Sequence, residues 1–310
     1  VMQLVEEPVA VPGPGELRVR HGAIGLNFID TYQRSGLYKL KLPSGLGQEA
    51  AGSVVAVGAG VEGFAPGDRI AYAGGPPGAY AEERVLPAAG VVHLPPGVTE
   101  EAAAALMLKG MTAYYLLHLS FAVRPGHTLL VHAAAGGVGS VLVPWARHLG
   151  ARVIGTAGSK DKAERARQYG CDEVILYREQ DFVAEVKRLT GGAGVDVVYD
   201  SVGKDTFMGS LDCLRRRGTM VSYGNASGKA PAIEPVLLSE KGSLFLTRPK
   251  LADHIATRAE LETASAALFE MIARGVVKAD VRQRYPLREV ARAHAEMEGR
   301  HTTGASVLVP

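Results

Sequence analysis

The segment Ala133-Ala134-Ala135-Gly136-Gly137-Val138-Gly139 follows an apolar run and opens a helical one. Read as A-x-x-G-x-x-G, it is a variant of the turn that binds a dinucleotide. Small side chains let the backbone bend sharply and approach a pyrophosphate. The helix N-terminus behind them presents unpaired N–H groups and the positive end of its dipole. Gly and Ala also cluster in tight helix packings, so the turn gains its weight from its strand–turn–helix setting. The nucleotide is chosen where the second strand of such a fold ends, because an Asp or Glu there binds the ribose 2′-hydroxyl of NAD. Here the chain runs Gly155-Thr156-Ala157-Gly158-Ser159-Lys160-Asp161-Lys162, with no acid at the strand tip. Ser159, Lys160 and Lys162 gather instead, which suits a 2′-phosphate and therefore NADPH. The plainer reading of the same residues is a solvated basic helix start, with Asp161 an ordinary first-turn acid.

No other set of residues has the spacing of a catalytic group. There is no Ser-His-Asp or Cys-His arrangement. His132 sits between an apolar strand and the turn and reads as a hydrogen-bonded structural histidine. His93, His118, His127, His148, His254, His294 and His301 have no ligand spacing. Arg215-Arg216-Arg217 reads as a solvated helix end.

The elements around the turn alternate. Strands are expected at Thr128–His132, Arg152–Thr156, Glu173–Leu176, Val195–Asp200 and Gly218–Tyr223, with a sixth at Ser243–Thr247. Helices are expected between them at Val138–Leu149, Lys160–Tyr169, Asp181–Leu189 and Asp205–Leu214, the first two stopped by Gly150 and Gly170. This is the pattern of a doubly wound parallel sheet. A long helix follows at Arg258–Arg274. The first third is different: Leu17–Arg20 alternates, Gly52–Gly58 and Asp68–Ala73 are short strands, and Gly and Pro punctuate them, as in a partly open barrel. Thr99 is placed to cap a helix over Ala102–Leu108. The tail Gly304–Val309 returns to strand character and is expected to rejoin the first domain.

At 310 residues, two domains are the default. The expected division is 1–108 with 284–310, and 109–283. Thirty-four Lys and Arg against 32 Asp and Glu leave +2, which argues against a general nucleic-acid binder. Two cysteines, Cys171 and Cys213, cannot make a disulfide framework, and no apolar run reaches bilayer length. With no signal-peptide core at the start, a cytoplasmic location is expected.

Asn27-Phe28-Ile29-Asp30-Thr31-Tyr32, Arg34–Tyr38, Gly45–Gly52, Leu108–Thr112, His132–Gly139, Tyr199–Gly203 and Thr247–Pro249 resemble the zeta-crystallin-like quinone oxidoreductases, the bacterial NADPH:quinone reductases among them. These belong to the zinc-free branch of the medium-chain dehydrogenase/reductase superfamily. The resemblance runs the whole length and places roughly one further strand before Val1. It implies a GroES-like catalytic domain and a Rossmann domain, with nicotinamide between them, and a homodimer. It also implies cofactor contacts from Asn27, Phe28, Ile29, Asp30, Thr31, Tyr38, Thr112, Gly136, Gly137, Val138, Gly158, Ser159, Lys162, Tyr177, Ser201, Tyr223, Gly224, Asn225, Ala226, Arg248, Pro249 and Arg300, with Lys162 and Tyr177 at the 2′-phosphate. Taken alone, Tyr177 reads as a half-buried strand-end tyrosine.

Zinc alcohol dehydrogenases are similar to this fold too, and their metal needs a Cys, a His and a further Cys or acid. Here the Cys place falls within Asn27–Thr31 and the His place is Gln48, so no metal is expected. Hydride transfer from NADPH to a quinone is expected, with Asn27 and Tyr38 as candidates to meet the quinone oxygen and protons drawn from solvent. Reduction of an enone or alkenal C=C bond is the second enzyme reading. A role in RNA binding or as a structural crystallin is the reading from another class. Ser243–Thr247, apolar and β-prone, is expected at the edge of the parallel sheet and to pair with its copy in a second subunit.

Overall fold

A computed structural model describes residues 2–310. The chain forms two compact units, one made of the residues up to Met111 with His254–Pro310, the other of Thr112–Asp253. The first unit opens with β1 (Glu16–Leu26), α1 (Phe28–Arg34), β2 (Glu49–Val57), β3 (Arg69–Ala73), β4 (Glu83–Pro87) and β5 (Val91–His93). The division falls inside α2 (Glu100–Tyr115). The second unit contains β6 (Thr128–Val131), α3 (Gly139–His148), β7 (Arg152–Ala157), α4 (Lys160–Tyr169), β8 (Glu173–Leu176) and α5 (Phe182–Leu189). It continues with β9 (Val195–Asp200), α6 (Phe207–Asp212), β10 (Leu214–Ser222), α7 (Val236–Glu240) and β11 (Phe245–Thr247). The chain returns to the first unit with α8 (Arg258–Ala273), β12 (Val281–Pro286), α9 (Val290–Glu298) and β13 (Ala305–Val309).

In the first unit the strands run β12-β13-β1-β2-β3-β5, with β4 also on β1. Alternation along β1 explains its place at the centre. Leu17 and Val19 are wholly buried, while Arg18 and Arg20 point outward and pair with Glu83 of β4 at 2.7 and 2.8 Å. The tail rejoins this sheet as expected, with Ile24 opposite Leu308 in an antiparallel pair. The core gathers Leu17, Ile24, Ile70, Tyr72, Leu86 and Leu308.

The second sheet is parallel, in the order β11-β10-β9-β6-β7-β8. Numbering its own strands one to six gives 6-5-4-1-2-3, the doubly wound order, with its reversal between β6 and β9. Stretches such as Leu129–Val131 and Val197–Tyr199 are apolar and buried because both faces of a parallel sheet are covered. The expected helix stops hold, Gly150 at φ 82° and Gly170 at φ 111°. Polar caps hold the starts: Thr99 Oγ1 accepts from Ala102 N at 3.1 Å, and Asp181 Oδ1 from Val183 N at 2.9 Å.

Four features depart from the sequence reading. Arg215–Arg217 lie in β10, not at a helix end, because Leu214 already pairs with Val195 and draws the chain back into the sheet. Arg215 Nε then reaches Asp196 at 2.7 Å. The sixth strand is only Phe245–Thr247, since Ser243 takes φ 57° to turn Leu244 into the core. Helices α1, α7 and α9 and strands β4, β5 and β12 were not foreseen. Finally, residues 254–283 belong to the first unit, whereas the sequence suggested the second. Arg258 of α8 bonds the Val91 carbonyl at 2.6 Å, and Gly110 is open to Leu268, which would lie 2.3 Å from a Cβ there.

Candidate active site

Each segment named from the sequence in the second unit, apart from Thr112 on α2, follows the C-terminal end of one parallel strand. Ala133–Gly139 follow β6, Gly158–Lys162 follow β7, Tyr177 follows β8, Ser201 follows β9, Tyr223–Ala226 follow β10 and Arg248–Pro249 follow β11. Parallel strands place all six at one edge of the sheet, the edge where such sheets bind ligands.

The turn after β6 is built for close approach. Ala133 takes φ 52°, a left-handed conformation unusual for a residue with a Cβ. Ala134 N donates to the Thr156 carbonyl at 3.1 Å, and Gly136 N to the Ala133 carbonyl at 2.8 Å. A Cβ on Gly139 would stand 2.3 Å from Ala134 O, so only glycine lets α3 start there. Gly155 does the same for β7, where a Cβ would meet the Ala134 methyl at 2.8 Å. The loops after β9 and β10 lock together: Ala226 N bonds Ser201 O at 3.1 Å and Ser227 N bonds Val202 O at 2.8 Å. Gly224 permits this, since its Cβ would lie 2.4 Å from Ser201 O. The result is a small-residue cradle with the N-terminus of α3 behind it, which fits a pyrophosphate.

Beside it, β7 ends at Ala157 without an acid. Ser159 caps α4 by accepting from Lys162 N at 3.3 Å. Tyr177 N bonds Ala157 O at 3.2 Å. Its hydroxyl lies over Gly158, 2.5 Å from where a Cβ would be. Gly158, Ser159, Lys162 and Tyr177 therefore form one corner, with the tyrosine about one-third exposed. Lys162→Ala is expected to weaken NADPH binding by about 1–3 kcal/mol, the loss for a charge-assisted bond, and to leave NADH binding nearly unchanged. Titration of both nucleotides checks this, and equal losses would remove Lys162 from the 2′-phosphate.

In the first unit, Asn27 is held from two sides. Its side-chain Nδ2 donates to Glu49 Oε2 at 2.7 Å, and its backbone N–H to Asp30 Oδ2 at 2.9 Å. Glu49 is fully buried and also accepts from Leu108 N at 2.6 Å and from Lys109 Nζ at 3.3 Å. Asp30 is fully buried without such a cation in bonding distance among the described residues, and burial pushes its pKa up to about 7. Its partners form a chain. Arg34 Nη1 lies 3.3 Å from His294 Nδ1, His294 Nε2 lies 3.0 Å from Tyr80 Oη, and Tyr80 Oη donates to Asp30 Oδ2 at 2.8 Å. A guanidinium only donates, so His294 Nδ1 accepts and Nε2–H donates to Tyr80. Asp30 Oδ1 has no partner among the described residues.

Phe28, Tyr32 and Tyr38 pack as a row, with ring centres 6.2 and 5.3 Å apart. Tyr38 N bonds Tyr32 O at 3.0 Å, and Thr31 Oγ1 bonds Phe28 O at 2.8 Å. Ile29 is half-buried on the same helix, α1. Arg300, at φ 60°, follows α9 and is exposed. Sequence reasoning missed Glu49, Lys109, Tyr80 and His294. The first two did carry a signal, because each is the lone charge of its stretch, Gly45–Gly52 and Leu108–Met111. Tyr80 and His294 carried none, being 214 residues apart.

Comparison with known proteins agrees with this geometry. Residues 13–96 match the alcohol dehydrogenase GroES-like domain, and residues 137–269 match the zinc-binding dehydrogenase family. The chain is 51% identical to a quinone oxidoreductase of Pseudomonas aeruginosa, over 100% of this chain and 96% of that protein. It is 49% identical to a 2-haloacrylate reductase of a Burkholderia species, over 98% of this chain and 94% of that protein. The crystal structure of Escherichia coli quinone oxidoreductase complexed with NADPH superposes with a TM-score of 0.97 at 50% identity, covering 99% of this chain and 95% of that one. With identity at this level over its full length, the chain belongs to the quinone oxidoreductase family of the medium-chain dehydrogenase/reductase superfamily.

Proposed function

We propose that the chain is an NADPH-dependent quinone oxidoreductase that passes reducing equivalents from NADPH to a quinone without a metal. The observation that carries this reading is the cradle at the C-terminal strand ends, with its acid-free corner of Ser159, Lys162 and Tyr177. The similar protein from Escherichia coli has NADPH bound in its crystal structure. When bound, NADPH supplies the hydride. The chain's own residues hold and orient. The turn Gly136–Val138 and the loops Ser201 and Tyr223–Ala226 would take the pyrophosphate and ribose, while Asn27 and Tyr38 would offer donors to the negative charge that develops on a quinone oxygen.

The name of one matching family includes zinc, and the residues here do not fit that metal. Gln48 stands where the alcohol dehydrogenases place a histidine. Asn27 and Glu49 are already joined through an N–H donor, and Glu49 is further engaged by an ammonium and a backbone N–H. A zinc site needs soft or borderline donors with free lone pairs. Cys171 and Cys213 are buried and lie in the other unit. Quinones are acceptors that do not need a Lewis acid, because their carbonyls already take hydride readily.

The similarity to a 2-haloacrylate reductase favours one second reading, reduction of an activated C=C bond. NADPH oxidation measured with quinones, an enone and 2-haloacrylate, each with and without a chelator, separates the two. Fast turnover of quinones that survives chelation is expected. Turnover confined to the C=C substrates would replace the quinone reading, and activity lost with chelator and restored by zinc would overturn the metal-free one.

We also infer a homodimer through β11. It is the edge strand of its sheet, and its apolar side chains are left partly open, Phe245 59% and Leu246 37% exposed. A bare apolar edge invites pairing, and two-fold symmetry makes β11 its own complement. Phe245→Lys should shift the species sedimenting at micromolar concentration from dimer to monomer, because a charge buried in the interface is costly. A monomeric wild type refutes the dimer. Among the described residues no helix is long and apolar enough to cross a membrane. With both thiols free, a cytoplasmic place of action fits.

A further inference from the structure

Between the turn after β6 and the loop after β9 lies a row of buried polar groups that the reaction itself does not use. His132 is 1% exposed, Thr156 1%, and Ser210 and Asp200 0%. Ala133 N donates to Thr156 Oγ1 at 3.3 Å. Thr156 Oγ1 lies 3.1 Å from His132 Nδ1, and His132 Nε2 lies 2.9 Å from Ser210 Oγ. Ser210 Oγ donates to Asp200 Oδ2 at 3.1 Å, as does Thr206 Oγ1 at 2.8 Å. The other oxygen, Oδ1, accepts from Val202 N at 2.7 Å and Gly203 N at 3.0 Å.

The direction of every bond follows. Asp200 is held by these four donors. The one proton of the Ser210 hydroxyl is committed to it, so Ser210 Oγ can only accept from the ring. His132 must carry its proton on Nε2, and Nδ1 must accept from the Thr156 hydroxyl. Thr156 Oγ1 is then free to accept from Ala133 N–H. Burial lowers the tendency of the His132 ring to protonate, which keeps it in the neutral form that this arrangement needs.

We propose that His132, Ser210 and Asp200 are positioning residues for the nucleotide: one chain of hydrogen bonds, running in a single direction from Ala133 to Asp200, ties the turn after β6 to the loop after β9. Those two strands flank the reversal point of the sheet, so the chain fixes the spacing of the two loops on either side of a bound nucleotide. It also explains how Ala133 keeps its left-handed backbone, which persists only where the surroundings hold it. The proposal rests on the reading of the strand-end cradle as the NADPH site.

Two measurements on the full chain test it. Nitrogen NMR of the histidine-labelled protein should show His132 as the Nε2–H tautomer. Asp200→Asn, whose amide donates toward Ser210, should switch it to Nδ1–H. An Nδ1–H ring in the wild type overturns the chain's direction. Secondly, Ser210→Ala and Thr156→Val should each weaken NADPH and NADH alike by about tenfold, the scale of one lost hydrogen bond, with kcat at saturating NADPH within about twofold of wild type. Ser265→Ala removes another buried hydroxyl, bonded to Leu261 O at 2.8 Å in the first unit, and should leave both affinities unchanged. Unchanged NADPH affinity in either folded variant refutes the positioning role, and so does an equal loss in Ser265→Ala. If one variant does not fold, the other reads the same chain. A wild type that binds no NADPH would be a failure of the proposed function, and the tautomer measurement would still decide the direction of the chain.

Discussion

Lowering the pH from 7 to 4 is expected to cost the folded state about 3 kcal/mol through His21 alone. His21 is 4% exposed on β1, where Nδ1 donates to Ala81 O at 2.7 Å and Nε2 accepts from Tyr72 Oη at 2.9 Å. Burial above all, with Arg84 adding to it, lowers its pKa from 6.5 to about 4. The ring is neutral when folded and protonates near 6.5 when unfolded, so its stabilisation is complete above 6.5 and lost as the pH falls toward 4. His294, also lowered to about 4 by burial, acts in the same direction. Asp30 opposes them. Its pKa is raised to about 7, so its contribution is complete below 3.8 and is lost as the pH rises through 7. Two groups against one leave stability rising with pH between 4 and 6.5. Urea unfolding of wild type and His21→Gln at both pH values isolates the first term. The variant should gain about 3 kcal/mol relative to wild type on going from pH 7 to pH 4. A gap that does not change with pH would mean that His21 titrates normally.

Lys109→Met is expected to lose about 3–5 kcal/mol of stability, because it leaves the Glu49 carboxylate buried without its cation. Lys109 is 4% exposed and Glu49 0%, so water cannot take over the charge. The bonds from Asn27 and Leu108 remain, but neither brings a positive charge. Glu49→Gln combined with Lys109→Met should recover most of the loss, since a neutral amide can still meet the Asn27 side chain. Denaturant midpoints of the two variants decide the matter. A single variant that costs less than about 1 kcal/mol would show that the pair contributes little.

Local patterns in the chain were enough for the second unit. A parallel sheet is buried on both faces, so its strands carry apolar stretches such as Leu129–Val131 and Val197–Tyr199, while Ser159 and Asp181 mark helix starts and Gly150 and Gly170 mark helix stops. Those signals lie within a few residues of one another, and Glu173–Leu176, Val195–Asp200 and Lys160–Tyr169 form as read. The turn after β6 and the acid-free end of β7 were legible for the same reason, because each is one contiguous stretch, Ala133–Gly139 and Gly155–Lys162, whereas Ser201 and Tyr223–Ala226 were named through the family resemblance alone. Short elements gave less to read. Helix α1 has seven residues and one buried side, too few to show a period.

Tertiary structure alone decided what the polar groups do. Periodicity says that one face of α8 is buried, not against which unit, so its place beside Gly110 and Val91 could not be read. Asp30, Tyr80, His294 and Arg34 come from three distant stretches of chain, and so do His132, Thr156, Ser210 and Asp200. A hydrogen bond needs its atoms within about 3 Å. No spacing rule in sequence carries that distance across a sheet. The residue types set which groups can donate and which can only accept. The fold brought them into line, and that alignment sets the tautomers of the His132 and His294 rings.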